Sequence, residues 1–412
     1  MLILIRSHKI ALTPTSEQAV YFIKACGVSR FAYNWGIARW EDLYRAKSNP
    51  SAFQLSRELN SIKREQFPWM IEVSKCVPER ALFDLESAYA NYFNSLKKNG
   101  HKVHRPQFKK KGKTKDSFYV KNDLFKIEGN KIRIPKLGWV KMCERLRFNG
   151  KVIGATISRT ADRWFVAIQV EVEADTVRRK NNNSVGIDLG INRLATLSTG
   201  KFFNSPKAFT KNLKKLRRLN KSVSRKALGG SNRKKAIVKL ARLHARIANI
   251  RSDYTHKITA NIVRKYRFIS IEDLAVSNLL KNHKLARSLS DVGLGEFRRQ
   301  IEYKSVLYNS KIVKIDRFYP SSKVCRKCKH KNQALTLANR VFVCPSCGHR
   351  EDRDLHAARN ILREGLRTAG TAETYACEQG SAMQLVCVRS LDEARRVAIL
   401  SKTLEENIRV SA

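Results

Sequence analysis

Apolar and polar residues change period several times along this chain, and each change predicts a different element. Leu2 to Leu12 alternates around Ile5, His8 and Ile10, which predicts one strand. Pro14 with Thr15-Ser16-Glu17 reads as a helix start. Ala19, Phe22, Ile23, Cys26, Phe31, Trp35 and Ile37 then hold helical spacing to about Lys47. Aromatic residues crowd this stretch at Phe31, Tyr33, Trp35, Trp40 and Tyr44; a packed core accounts for most of them, and a few are candidates for stacking on bases. Pro50-Ser51 breaks the run, a short helix follows at Phe53 to Lys63, and Pro78-Glu79 opens another that reaches about Lys98.

From Ser117 to Glu173 the period falls to two. Phe118 to Val120, Leu124 to Ile127, Lys131 to Ile134, Val152 to Ser158 and Trp164 to Val172 read as five short strands, with turns at Gly129-Asn130, Gly150 and Ala161-Asp162. Five short strands in succession predict a small antiparallel barrel. Thr176 to Asn183 is a polar linker. Ser184 to Ile187 is a β-branched strand ending in Asp188 between glycines, and Leu194 to Leu197 makes a hairpin with it. Two helical runs follow, Leu213, Leu216, Leu219 and Val223, then Ile237 through Ile258, separated by Gly229-Gly230-Ser231-Asn232; they read as a helical hairpin with an apolar seam. Phe268 to Ile271 is a strand ending in Glu272-Asp273. A helix at Gly295 to Tyr308, a strand at Lys311 to Phe318 and a helix at Leu355 to Arg363 complete the pattern.

Charge changes this picture. The 412 residues carry 82 Lys+Arg against 35 Asp+Glu, a formal net charge of +47. Such an excess points to a polyanionic partner, because neutralising phosphates releases counterions. The excess is patterned: Lys97 to Lys115 holds nine Lys/Arg and Lys207 to Arg251 sixteen, both without an acid. In the first stretch Arg105, Phe108, Lys109, Lys110 and Lys111 suit a loop that grips a backbone and stacks a base. In the second, Lys214, Arg217, Arg218, Arg233 and Lys234 lie on the outer faces of the hairpin. No run is apolar enough for a membrane span, and Arg6, His8 and Lys9 interrupt the apolar start too early for a signal peptide. A cytoplasmic protein is expected.

Four of nine cysteines fall in two C-x-x-C pairs, Cys325/Cys328 and Cys344/Cys347, fifteen residues apart. Two such knuckles deliver four thiolates to tetrahedral Zn²⁺. With all four positions filled, the metal folds a small ribbon and has no open site. His330 and His349 read as bystanders. Scattered Cys26, Cys76, Cys143, Cys377 and Cys387 suggest a reducing compartment.

Three acids form the second constellation: Asp188 and Glu272 end strands, and Asp354 opens a helix just past the ribbon. Brought together they would repel unless divalent cations neutralise them. Two Mg²⁺ ions about 3.5–4 Å apart can activate water and stabilise the leaving oxygen of a phosphodiester. Asp273, Glu351 and Asp352 compete for the later positions. A strand-end aspartate in a glycine hairpin also suits the phosphate site of sugar-kinase and actin-like ATPases, but that reading explains neither ribbon nor charge.

Gly186-Ile187-Asp188-Leu189-Gly190, Ile271-Glu272-Asp273-Leu274, Ser321-Ser322-Lys323-x-Cys325-x-x-Cys328 and Asp352-Arg353-Asp354-Leu355-His356-Ala357-Ala358-Arg359-Asn360-Ile361 occur in this order. With Leu12-x-Pro14-Thr15, Arg30-x-x-Tyr33-Asn34, Ser290-Asp291 and Gly295-Glu296-Phe297-Arg298, they resemble the TnpB (OrfB) proteins of bacterial insertion sequences, relatives of the type V CRISPR effector nucleases. The resemblance covers roughly residues 1–365. It implies a multidomain α+β chain. An RNase H-like (RuvC-type) α/β nuclease spans 184–320 and 350–368, with the basic hairpin at 205–265 and an inserted zinc ribbon at 321–349. A small β-barrel (wedge) domain takes 1–12 and 117–175, and a helical recognition lobe takes 13–116; 369–412 is unassigned. It implies that Asp188, Glu272 and Asp354 bind catalytic Mg²⁺ in a single RuvC-like site, that the partners are a guide RNA from the transposon end and double- and single-stranded target DNA, and that the RNA reads the sequence while the protein reads the backbone and a short target-adjacent motif. His356 stands where the family commonly has asparagine. The expected activity is RNA-guided DNA cleavage; a guided DNA-binding regulator with a weak site and a strand-joining transposase are the alternatives.

Overall fold

The computed structural model describes residues 2–97, 103–174, 183–336 and 338–373. The chain divides between Glu173 and Ala174 into two compact units. All of the expected linker but Asn183, and the tail past residue 373, lie outside the described residues, as does part of the first basic stretch.

In the first unit, β1 (Leu2–Thr13) leads into α1 (Ser16–Arg45), α2 (Ala52–Gln66) and α3 (Cys76–Lys97). The start of α1 is set by a capping box: Gln18 N donates to Thr15 Oγ1 at 3.2 Å and Thr15 N to Gln18 Oε1 at 3.1 Å. Ser51 caps α2 through its side chain alone, Oγ accepting from Gln54 N at 3.2 Å. Then come β2 (Ser117–Lys121), β3 (Lys126–Glu128), β4 (Lys131–Ile134), β5 (Gly138–Met142), β6 (Lys151–Thr160) and β7 (Arg163–Ala174).

These strands form one seven-stranded sheet in the order β2-β6-β7-β1-β5-β4-β3. The ladder is open, with β2 and β3 at its edges, and this corrects the expected barrel. Closure would need the two edges to pair, yet β3 has three residues and its partner is β4. The apolar face that a barrel would bury against itself is covered by helices instead. Phe22 of α1 is fully buried and meets Phe118 at 5.8 Å and Trp164 at 5.0 Å between ring centroids. β5 was not among the expected strands. Its four last residues alternate exposed and buried, but Lys136 just before it and its first residue, Gly138, both adopt positive φ, and that turn hides the strand's start. Most of the α1 aromatics are core, as packing predicts: Trp40 stacks on Tyr89 at 4.6 Å, and Tyr33 is buried, while Tyr44 is exposed.

In the second unit, β8 (Ser184–Asp188), β9 (Arg193–Leu197) and β10 (Phe202–Asn204) make an antiparallel meander. The basic hairpin follows as α4 (Ala208–Ser224) and α5 (Ser231–Lys265). β11 (Phe268–Glu272), α6 (Val276–Leu279), α7 (His283–Val292), α8 (Leu294–Leu307) and β12 (Lys311–Ile315) come next. β13 (Val341–Val343) and β14 (Arg350–Asp352) pair with each other, and α9 (Arg353–Glu373) closes the described chain. The main sheet has the order β10-β9-β8-β11-β12, with β8, β11 and β12 parallel. The hairpin seam is narrower than its sequence suggests: Leu216, Leu243 and Ile247 are buried together with Ala208, whereas Ile237 and Ile250 are exposed.

Candidate functional site

Two apolar strands carry two of the acids to one edge. β8 and β11 are parallel, with Ile187 opposite Ile271, so Asp188 and Glu272 are the next residues along in each strand. Equal register in adjacent strands puts both side chains on one face. The third acid arrives on α9, which crosses the sheet at very short range. A Cβ on Gly186 would lie 2.1 Å from Ala358 O and 2.6 Å from Leu362 N, and one on Gly365 would lie 2.0 Å from Ser270 Oγ. Ser270 Oγ donates to Ile361 O at 2.8 Å. Only glycine permits this approach, and it brings the first turn of α9, with Asp354, to the strand ends.

The charge of the acids is felt. Burial first, then the carboxylates of Glu272 and Asp354, hold the Asp188 carboxyl well above the usual range, with Arg353 opposing them. Burial also raises Glu272, against a 2.5 Å hydrogen bond donated by Ser321 Oγ to its Oε1. The competing acids are taken up elsewhere. Asp273 binds Arg298 at 2.7 Å and Arg317 at 2.5 Å. Asp352 Oδ1 accepts from the amides of Asp354 and Leu355 at 3.1 Å each, capping α9, and both its oxygens take Arg193 Nη1 at 3.1 Å. Arg193 also reaches Asp354 at 3.9 Å.

Among the described residues, two groups of potential ligands have donor atoms within 4.8 Å of one another: the four cysteines, and His349, Glu351 and His356. The three acids are more open than either. In the cysteine group Cys325 Sγ lies 3.6 Å from Cys347 Sγ, and Cys328 Sγ 3.5 Å from Cys344 Sγ. A tetrahedron with 2.3 Å Zn–S bonds has edges of about 3.8 Å, so the donor set fits zinc. The two knuckles are built alike. Cys325 N donates to His330 O and Cys344 N to His349 O, and Lys329 and Gly348, each four residues past the first cysteine, both take positive φ. Cys26, Cys76 and Cys143 are unbridged thiols, the first two buried.

The second group is an ion-pair hub. Glu351 is paired with Arg359, has Arg326 at 4.0 Å, and sits 3.2 Å from His356 Nδ1 and 3.4 Å from His349 Nε2. Two guanidiniums already neutralise it, which disfavours a divalent cation there. His356 is fully buried, stacks flat on Phe342 of β13 at 3.9 Å, and lies 2.8 Å from Val324 O. It faces the ribbon, through Phe342 and Val324, although it follows Asp354 by only two residues in sequence.

The basic residues divide into exposed ones and ones with internal work. Phe108, Lys110, Lys111, Lys214, Arg217, Arg218 and Lys234 are exposed. Lys109 turns inward: its ammonium lies 3.6 Å from the Tyr33 ring centroid, and its backbone is held at both ends by Asn34, at 2.9 and 2.7 Å. Arg105 is paired with Glu41 at 3.2 Å. Arg233 donates to Val223 O and Lys226 O at 2.7 and 2.9 Å and so closes the end of α4. Asp291 caps the start of α4, accepting from the amides of Phe209 and Thr210 at 2.8 and 2.9 Å.

Three family models match. "Probable transposase" (OrfB of IS605) covers residues 167–283, "Cas12f1-like, TNB domain" 295–361, and an OrfB "Helix-turn-helix domain" 1–48. A "Putative RNA-guided DNA endonuclease" of Streptomyces pristinaespiralis is 36% identical over 89% of this chain and 91% of that protein. The chain belongs to the OrfB (TnpB) family. A second OrfB relative, "Putative RNA-guided DNA endonuclease InsQ" of Escherichia coli, is 32% identical over 88% of this chain and 92% of its own. A solved Cas12f1–sgRNA–target DNA complex is 14% identical, with a TM-score of 0.34 over 87% of this chain and 98% of that one. In this OrfB chain the segment matched as helix-turn-helix is one strand and one long helix, β1 and α1. Sequence reasoning missed Ser321, Asn34 and Asn360, which hold other residues in place; the only signal was their presence within the quoted motifs.

Proposed function

We propose that this OrfB protein is an RNA-guided DNA endonuclease with one RuvC-like site, in which Asp188, Glu272 and Asp354 hold divalent metal. The observation that carries the reading is the parallel register of β8 and β11, which sets Asp188 beside Glu272 while α9 brings Asp354 to the same edge. Burial first, and then the neighbouring Glu272 and Asp354 carboxylates, raise the Asp188 carboxyl, and a half-hidden group of acids of this kind suits a hard cation. The sheet order, a three-stranded antiparallel meander extended by two parallel strands, supports the RNase H-like fold. The names of the relatives support the guide RNA and the DNA target.

Bound Mg²⁺ would supply an activated water and charge neutralisation at the scissile phosphate. The chain's own contribution is orientation. β8 and β11 fix two carboxylates on rigid strand ends, α9 fixes the third, and Asp352 holds both the helix start and Arg193. Arg193 stands 3.9 Å from Asp354 and adds positive charge next to the acids. The four cysteines would hold zinc and keep the ribbon folded. Exposed Lys214, Arg217, Arg218 and Lys234, with Phe108, Lys110 and Lys111, would contact phosphates and bases. A short motif beside the target is left to the protein, and sequence reading to the guide.

The test is to purify the chain expressed with its native flanking DNA and sequence the RNA that accompanies it. One abundant species from the element's end is expected. With that RNA and matching DNA in Mg²⁺, the protein cuts, and Asp188→Ala loses at least about 10³-fold in rate while still binding target. Undiminished cutting by Asp188→Ala overturns the site. A smear of cellular RNA overturns the guided reading and raises the transposase alternative.

A further inference from the structure

Glu272 and α9 are joined by a chain of buried polar groups that passes through one serine. Ser321 stands on the approach to the ribbon, four residues before the first cysteine, and is 7% exposed. Its hydroxyl donates to Glu272 Oε1 at 2.5 Å. Its carbonyl accepts from Asn360 Nδ2 at 2.7 Å. The same amide donates to Val324 O at 2.8 Å. Asn360 is fully buried on α9, less than two turns after Asp354.

We infer that Ser321 is the positioning residue of Glu272, and that Asn360 sets Ser321, so that Glu272 on β11 and Asp354 on α9 are held in register through Ser321. The inference rests on the assignment of these acids as metal-binding groups. The physical argument is one of geometry. A glutamate at a strand end has three rotatable bonds and would sample several positions for its carboxylate. A donor to Oε1 fixes one oxygen and so directs Oε2, the form of support that outer partners give metal-binding carboxylates. Burying a hydroxyl and an amide is costly unless each is satisfied. Here the Ser321 hydroxyl and the Asn360 Nδ2 are both spent as donors on the site and the ribbon's approach, while the buried Asn360 Oδ1 has no partner. The Ser321 donor comes from a turn pinned by Lys323 N and Val324 N on Pro320 O. Neither residue lies in a cysteine knuckle, so zinc binding by itself does not require them.

The experiment uses the full chain with zinc and its RNA. Ser321→Ala removes the donor and little else; Ser321→Thr restores it. Expected for Ser321→Ala is a cleavage rate down about 10–100-fold and a half-saturating Mg²⁺ concentration raised by a similar factor. Zinc content, melting temperature and target binding stay at parental values, and Ser321→Thr recovers most of the rate. Asn360→Asp, which turns a donor toward two carbonyls into an acceptor, gives the same Mg²⁺ shift. Direct Mn²⁺ binding, followed by its paramagnetic signal, weakens in Ser321→Ala in parallel. Parental rate and Mg²⁺ dependence in Ser321→Ala overturn the inference, and so does a lost rate with unchanged Mg²⁺ dependence and no recovery in Ser321→Thr. A parental chain that never cuts DNA overturns the proposed function instead, and Mn²⁺ binding then decides: equal affinity in parent and Ser321→Ala overturns the positioning role.

Discussion

The cysteine group and the acid group are assembled by opposite routes. Cys325, Cys328, Cys344 and Cys347 come from one short stretch, and each pair is preformed by a local turn of the same design. Their sulfurs meet within 4.8 Å with no help from the main sheet. Asp188, Glu272 and Asp354 come from three distant stretches and meet only because strand register and helix–strand contact bring them together. One site therefore depends on local turns, the other on packing across the whole unit. What links them is α9, which carries Asp354 and grips the ribbon through His356 and Asn360.

The most damaging break falls on the acid group alone. In Gly186→Ala the new methyl group meets the backbone of α9, and overpacking of this kind costs about 1–3 kcal/mol or more. Cleavage should fall at least about 100-fold, because displacing a catalytic group by about 1 Å already has that effect. Zinc per chain, measured by elemental analysis, should not change. A Gly186→Ala protein that cuts at the parental rate would show that α9 does not position Asp354.

The converse break removes the cysteine group. Cys328→Ser with Cys347→Ser should abolish zinc binding and unfold the ribbon. Cleavage should then fall about 10–100-fold through α9, while far-ultraviolet circular dichroism keeps most of its helical signal. Full activity in zinc-free protein would separate the two sites entirely.

A milder change tests the link. His356→Asn loses the stack on Phe342, which is worth about 0.5–1.5 kcal/mol beyond buried area. The ribbon should release zinc to a chelator faster, with cleavage in saturating zinc close to parental.

The smallest effect sharpens the charge argument. The folded pKa of Asp188 is raised, so the native state keeps its proton to higher pH than the unfolded chain. Stability from this group is present at acid pH and is lost as pH rises through the carboxylate range toward the folded value. Asp188→Asn should therefore melt above the parent in metal-free buffer near neutral pH, the gap closing toward acid. Adding Mg²⁺ should stabilise the parent and not the variant. A metal-free gap that widens toward acid would refute the sign.

Legibility followed the same division. The knuckles could be read from spacing, because a C-x-x-C turn is a local property. The helices were legible where a cap or proline marks the start, as at Thr15 and Ser51, and the hairpin was legible from its two apolar runs. The expected barrel is an open sheet because β-branched alternation specifies strands and not whether the first pairs with the last. Charge alone overstated the nucleic-acid surface: Lys109 and Arg233 have the same sequence character as Lys110 and Lys234, yet they hold Tyr33 and the end of α4.

By itself the sequence determined the longer elements, the two clusters of chemistry-bearing residue types and the basic stretches, since these depend on periodicity, spacing and composition within a few residues, whereas short ones such as β5 and β10 escaped it. Tertiary structure decided which acids share an edge and which are absorbed by arginines. It decided that His356 serves the ribbon, and that Ser321 and Asn360 touch the site. Those outcomes depend on strand register and on two glycines that let α9 lie against the backbones of β8 and β11, contacts between residues too far apart in sequence for any local pattern to record.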